Sequence, residues 1–242
     1  MSTREKNLAA IVVVFFVCVA VWVVRTTPKE PPPIEKFEPP TVMEYEGNTI
    51  TEERDGKIIW ELTCDKMRVD SLTQDMEMIN VRGKYYDEED TWALTAKRGI
   101  YDQTKKIIYI EGEVTVQNND GEKLLSDELL WFSDEEKLTA MGNVSVTKED
   151  GSELLSKELT WLAAKETLVA TGDVSVKDKD GGQLFSDKLE WFTAEEKVIA
   201  TGNVKISKDD MRAFGDLAYS DNNFKHFGLL GHARVLKGVQ TE

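Results

Sequence analysis

From Asp120 onward the chain writes one order of apolar and polar positions three times: DGEKLLSDELLWFSDEEKLTAMGNVSV, DGSELLSKELTWLAAKETLVATGDVSV and DGGQLFSDKLEWFTAEEKVIATGNVKI. Trp131, Trp161 and Trp191 recur at intervals of 30 residues, as do Gly142, Gly172 and Gly202. A fixed period of this size signals a repeat architecture, whose units bury an apolar face only against their neighbours. Within a unit, Val144 and Val146 alternate with Ser145 and Thr147, the signature of a half-buried strand. Asp150-Gly151 predicts a two-residue hairpin turn with both residues at positive φ, as do Asp55-Gly56, Asp120-Gly121 and Asp180-Gly181. A longer strand follows over 152–162, then a polar turn over 163–166, then a short strand over 167–171 that runs into Gly172. The unit is thus expected to hold three short antiparallel strands.

Aligned units reveal columns. A small residue recurs at Cys64, Ala96, Ser126, Ser156, Ser186 and Gly215, with Leu62, Leu94, Leu124, Leu154, Leu184 and Ala213 two positions before it. Val69, Tyr101, Trp131, Trp161, Trp191 and Tyr219 follow it by five positions, or by four in the last copy. If Leu154, Ser156, Leu159 and Trp161 all face inward, one extra residue sits between Ser156 and Leu159, which predicts a β-bulge and a bend. The expected fold is all-β: an elongated antiparallel sheet structure of fifteen or more strands built from ~30-residue repeats. Cys64 falls in the small column and reads as a core residue rather than a reactive thiol.

The front of the chain breaks this pattern. Residues 8–24 form an unbroken apolar run of 17 residues behind Arg4 and Lys6, closed by Arg25. At about 1.5 Å per residue the run just spans a bilayer core. We read residues 1–25 as a retained transmembrane anchor, against a cleaved signal peptide, because Val21 to Val24 continue past the small residues that would mark cleavage. Arg4 and Lys6 place its start in the cytoplasm and the remainder beyond the membrane. All six prolines fall within the next stretch, residues 26–42. It is either a polyproline spacer, roughly 40–50 Å long if extended, or a linker without fixed structure. The folded body is expected over 43–238.

Charge then narrows the function. A formal charge of −15 repels phosphate backbones and excludes nucleic acid as a natural partner, and it is expected to repel an anionic membrane face too. His226 and His232 have no cysteine or acid ligand spacing around them, so no metal or other cofactor is expected. The acids follow the repeat's turns instead of converging as a catalytic pair, and no phosphate loop, nucleophile elbow or triad is present, so no catalytic residue is assigned. The chain does not read as an enzyme.

The phrase TWALTAKRGIYDQTKKIIYIEGEVTV, with Trp92, Leu94, Ala96, Tyr101, Asp102, Gly112 and Val114, resembles the lipopolysaccharide-export family LptC, and the units over 121–206 are similar to the OstA-type domain shared with LptA. The chain is longer than usual for that family, its three central units are unusually alike, and its proline spacer is long. The resemblance implies a twisted β-jelly roll open at a seam, whose interior shields the acyl chains of lipopolysaccharide. It also implies an inner-membrane anchor beside an ABC transporter, a periplasmic body, and hand-off to an LptA-like jelly roll by edge-strand pairing. On this reading the lipid-facing residues are Leu94, Tyr101, Val114, Val116, Leu124, Trp131, Val144, Val146, Leu154, Leu159, Trp161, Val174, Val176, Leu184, Trp191, Val204 and Ile206. The same residues read as core packing, and in an open jelly roll the two roles share one face. The partner edge is expected in a final strand near 231–237, with Ala233, Val235 and Leu236 unguarded by proline, against a frayed terminus. The rival from another class is a structural, envelope-spanning β-repeat protein with a dry interior and no lipid cargo. A weaker third reading is an anchored hydrolase of envelope polymers, which would need acids clustered in a polar cleft.

Overall fold

The computed structural model describes residues 42–86, 90–221 and 227–238, all within the unit Pro40–Glu242. The expected anchor, the spacer as far as residue 41, and His226 lie outside the described residues. The body is all-β, as its alternation predicts. Its strands are β1 (Val42–Glu46), β2 (Thr49–Arg54), β3 (Lys57–Thr63), β4 (Lys66–Asp70), β5 (Met76–Tyr86), β6 (Thr91–Asp102), β7 (Ile107–Gln117) and β8 (Lys123–Phe132). They continue as β9 (Lys137–Thr147), β10 (Glu153–Leu162), β11 (Thr167–Lys177), β12 (Gln183–Phe192), β13 (Lys197–Lys208), β14 (Met211–Asp221), β15 (Phe227–Leu230) and β16 (Arg234–Lys237). All belong to one 16-stranded antiparallel sheet in which, from β5 to β14, each strand pairs with the next in sequence.

Each 30-residue unit contributes two long strands, not three. The expected break at Gly172 is a bend inside β11, which runs unbroken from Thr167 to Lys177. The bend lies where the sequence predicts it, but the extra residue is on the neighbouring strand. Ser156 pairs with Val144 and Glu158 with Met141, so Lys157 alone opposes Gly142 and Asn143. Gly112-Glu113, Gly142-Asn143, Gly172-Asp173 and Gly202-Asn203 all hold two successive positive-φ residues, which glycine followed by Asn, Asp or another polar residue accepts at least cost.

At this line every long strand passes from one leaf of the sheet to the other. Leaf A holds the halves that end in the Asp-Gly turns; leaf B holds the halves that end in the turns at 103–106, 133–136, 163–166 and 193–196. The same division splits the first strands. β3 and β4 pair with opposite halves of β5 on either side of Cys64-Asp65, while β2 joins β3 and β1 joins β4. It recurs at the far end, where β15 and β16 cover opposite halves of β14 on either side of Gly231-His232.

The turns also differ from expectation in one respect. Asp55-Gly56 is the expected positive-φ pair, but at 120, 150 and 180 only the glycine has positive φ. There Gly151 N–H donates to the Lys148 carbonyl and Lys148 N–H to Ser152, a tight turn closed by a glycine bulge. On leaf B the turns are stitched to one another. Ser133, Ala163 and Thr193 N–H donate to the carbonyls of Lys106, Glu136 and Glu166 at 3.0–3.1 Å.

Candidate functional site along the seam

Inward-facing positions form rows that cross the strands. Nearest the bend in leaf A lie Val114, Ser126, Val144, Ser156, Val174, Ser186 and Val204, in cross-strand register. The four valines are each 1% exposed. The next row outward reads Leu94, Val116, Leu124, Val146, Leu154, Val176, Leu184, Ile206, Ala213 and Val235. In leaf B the bend-side row is Ile110, Leu129, Ala140, Leu159, Ala170, Leu189 and Ala200, all buried. Its outer row is Tyr101, Ile108, Trp131, Leu138, Trp161, Leu168, Trp191 and Val198. The buried residues of both leaves make a single core cluster that runs without interruption from Trp60 to Ala218.

This layout divides the expected lipid-facing residues in two. Val114, Val144, Val174, Val204, Leu159 and Leu184 are sealed in the core. Leu94, Tyr101, Val116, Leu124, Trp131, Val146, Leu154, Trp161, Val176, Trp191 and Ile206 are half-buried and occupy the rows farthest from the bend. Tyr219 departs from its column. It is 47% exposed on the outer face, and Ala218 takes the inward place. Of the bend-side row of leaf B the sequence singled out only Leu159; Ile110, Leu129, Ala140, Ala170, Leu189 and Ala200 were missed, and their signal is the two-residue spacing from the outer row.

Polar contacts tie the leaves across the seam. Glu52 Oε2 accepts from Trp60 Nε1 at 2.6 Å and from Ser133 Oγ at 3.2 Å, and Ser133 Oγ accepts from Trp131 Nε1 at 2.9 Å. Arg54 forms an ion pair with Glu136. Trp60 and Tyr101 meet edge to face at 6.4 Å between centroids, and burial, helped by Glu52, pushes the Tyr101 phenol above its ordinary value. Farther along, the Lys148 ammonium lies over the Trp191 ring at 5.3 Å. The Trp191 indole N–H and the Ser156 and Ser186 hydroxyls are buried without a hydrogen-bond partner.

Toward the end of the body the leaves line a partly open cavity of about 50 Å³, with Val176, Leu184, Val198, Ile206, Met211 and Phe227 on its walls. That volume suits a few waters and no acyl chain. The last strand is shorter than expected. It covers Arg234–Lys237, so Ala233 precedes it; Ala233 and Val235 are exposed and Leu236 is half-buried. Among the described residues no group of His, Cys, Asp and Glu is placed to hold a metal, and Cys64 is a buried free thiol whose ionisation burial opposes.

The model of the family described as lipopolysaccharide-assembly, LptC-related, matches residues 9–154, more than half of the chain. The chain belongs to that family. It is a component of lipopolysaccharide transport, and the matched region begins inside the apolar front segment and ends within β10. β11 to β16 of this LptC-related chain repeat the same bent geometry beyond the match. No curated protein sequence matches it. Among solved structures it is similar to LptH of Pseudomonas aeruginosa, the LptA-homologous periplasmic component of the conserved lipopolysaccharide transport device. Identity is 14% over 64% of this chain and 99% of that one, with a TM-score of 0.30.

Proposed function

We propose that this LptC-related chain is a non-enzymatic conduit, anchored in the inner membrane by residues 1–25 and held off it by residues 26–42. Its body over 43–238 stands in the periplasm, takes lipopolysaccharide from an ABC transporter, and passes it toward the outer membrane. One observation carries this reading. The seam-side rows of both leaves are apolar, and most of their side chains, though not Ile108, Leu184, Val198 or Ala213, are only half-buried, above a core that forms a single cluster. Each methylene exposed to water costs about 0.8 kcal/mol, so a continuous apolar face lowers the cost of moving acyl chains without specific chemistry. Equivalent steps keep any one position from becoming a trap. Acyl chains enter by displacing the seam-side Leu, Val and Trp side chains, since the cavity near the end of the body is too small to hold them. β16, paired with β14 alone among the described residues, offers Val235 and Leu236 to an LptA-like partner by strand addition.

The rival reading, a structural span without cargo, draws support from Lys148 closing over Trp191. Photocrosslinking amino acids in cells decide between them. Substitutions at Val146, Leu154 and Trp161 are expected to yield lipopolysaccharide adducts, while Lys157 and Glu158, on the outer face at the bend, yield none. Equal or absent adducts at both sets would remove the lipid path and leave the span.

A further inference from the structure

The outer face of leaf A carries a pattern that lipid transfer through the interior does not use. From β8 to β16 one outward row reads Leu125, Ser145, Leu155, Ser175, Phe185, Lys205, Phe214 and Arg234 in unbroken cross-strand register. Leu125, Leu155 and Phe185 are 38%, 41% and 42% exposed, one per repeat. Two strand spacings separate them, about 9.5 Å. The adjoining row reads Lys123, Thr147, Glu153, Lys177, Gln183, Ser207, Arg212 and Leu236. In these two rows Lys123, Lys177, Lys205, Arg212 and Arg234 stand against one acid, Glu153, on a chain with 45 acidic and 30 basic residues.

The charge is also unspent. Elsewhere in the described residues most cations hold a carboxylate, among them Arg54, Arg68, Arg82, Lys97, Arg98, Lys106, Lys137, Lys157 and Lys188, while Lys57, Lys165, Lys179, Lys197 and Lys237 do not. Among the described residues, Lys123, Lys177, Lys205, Arg212 and Arg234 have no ion-pair partner. Where acids outnumber bases by half, cations left unpaired on one face mark a surface that meets anions. Like charge excludes a second copy of the same face. The stripe is ridged with Leu and Phe, a composition suited to the boundary between headgroups and acyl chains.

We propose that this face docks the body on an anionic lipid surface. The Leu and Phe row enters the headgroup layer, and the five cations neutralise lipid phosphates. Acidic turns at Asp120, Asp150, Asp180 and Asp209 border the stripe on one side and the exposed bend acids Asp127, Asp173, Asp187 and Asp216 on the other, so contact is face-on, weak, salt-sensitive and dependent on the tether supplied by the front of the chain. The tether rests on the anchored reading above; the face itself does not.

The test uses the full chain reconstituted in vesicles of phosphatidylethanolamine with phosphatidylglycerol, or of phosphatidylcholine alone. An environment-sensitive fluorophore is placed at Ser175→Cys on the stripe or at Thr160→Cys on the outer face of leaf B, in a Cys18→Ser background that leaves the buried Cys64. Quenching by spin-labelled lipid is expected to be about threefold greater at 175 than at 160 in anionic vesicles. It should fall to the level of 160 in phosphatidylcholine, in high salt, and in a Lys177→Glu/Lys205→Glu/Arg212→Glu variant. Circular dichroism checks that variant's fold, and the milder Lys177→Gln/Lys205→Gln pair should give an intermediate loss. Equal quenching at both positions, or none at 175, overturns the proposal and points to an acidic protein as the occupant. Adducts at Val146 and Trp161 would survive that failure, so the two readings fail separately.

Discussion

At the bend, the polar residue with positive φ is matched to the one it faces. Lys157 meets Asp173 at 2.6 Å and Lys97 meets Glu113, whereas Asp127, Asp187 and Asp65 meet Asn143, Asn203 and Asn80 at 2.8–2.9 Å. Asp216 meets His232 at 2.8 Å. Glycine at this line is demanded twice over, by φ and by space. At Gly172, φ is +80° and an added Cβ would sit 2.8 Å from the Lys157 Cβ, whereas at Gly151, φ is +84° with nothing within 4 Å. Both Gly→Ala changes carry the left-handed penalty of about 1–2 kcal/mol. Gly172→Ala should cost at least about 1 kcal/mol more in urea unfolding, and equal losses would refute the crowding. The glycine column is legible in the sequence; its facing partner is not, because the register that brings Lys157 opposite Gly172 is set by pairing between strands. Tyr109 offers a second test. Burial first, then its 3.0 Å bond to Glu111, raises its phenol to about 12. A raised folded value means a contribution intact below the ordinary value of 10 and lost as pH climbs from 10 to 12. Absorbance at 295 nm should show one tyrosine, absent in Tyr109→Phe, ionising late in that window.

Among the elements, the unit of construction is a pair of bent strands. The sequence marks its length, its turns and its small column. It does not reveal that the halves around Gly172 are one strand, since a glycine step reads alike as a turn and as a bulge, and only two neighbours holding both halves in register decide it. The carbonyls of Glu136 and Glu166, whose backbones are αL, accept from the Ala163 and Thr193 N–H of the next turn, so each unit is fixed to its successor by the same bonds. Any one unit should therefore be removable. Deleting residues 151–180 joins Asp150 to Gly181 and recreates the same Asp-Gly turn. That variant should stay β-rich and unfold cooperatively with an m-value lower by about 15%. Aggregation or a loss of cooperativity would show that the units are not interchangeable.

For the body as a whole, one sheet supplies both walls of a sandwich, and this makes the interior continuous. The family match stops at residue 154, yet the core, the seam rows and the turn ladder run on without change. Added repeats lengthen the path without altering its section. Period-two alternation, a 30-residue interval and recurring Asp-Gly and Gly-x pairs determined from the sequence alone that the chain is an all-β repeat with an inward apolar face. Those features are local, acting through side-chain alternation and backbone φ. The sequence also singled out the residues of that face. The tertiary structure decided how they divide: Val114, Val144, Val174 and Val204 sealed beside the bend, the Trp column and its Leu and Val partners left at the seam. It decided as well that five unpaired cations share the outer face of one leaf. Both depend on which strands lie side by side and on how far from the fold line each residue falls, and that distance exists only once the sheet has closed on itself.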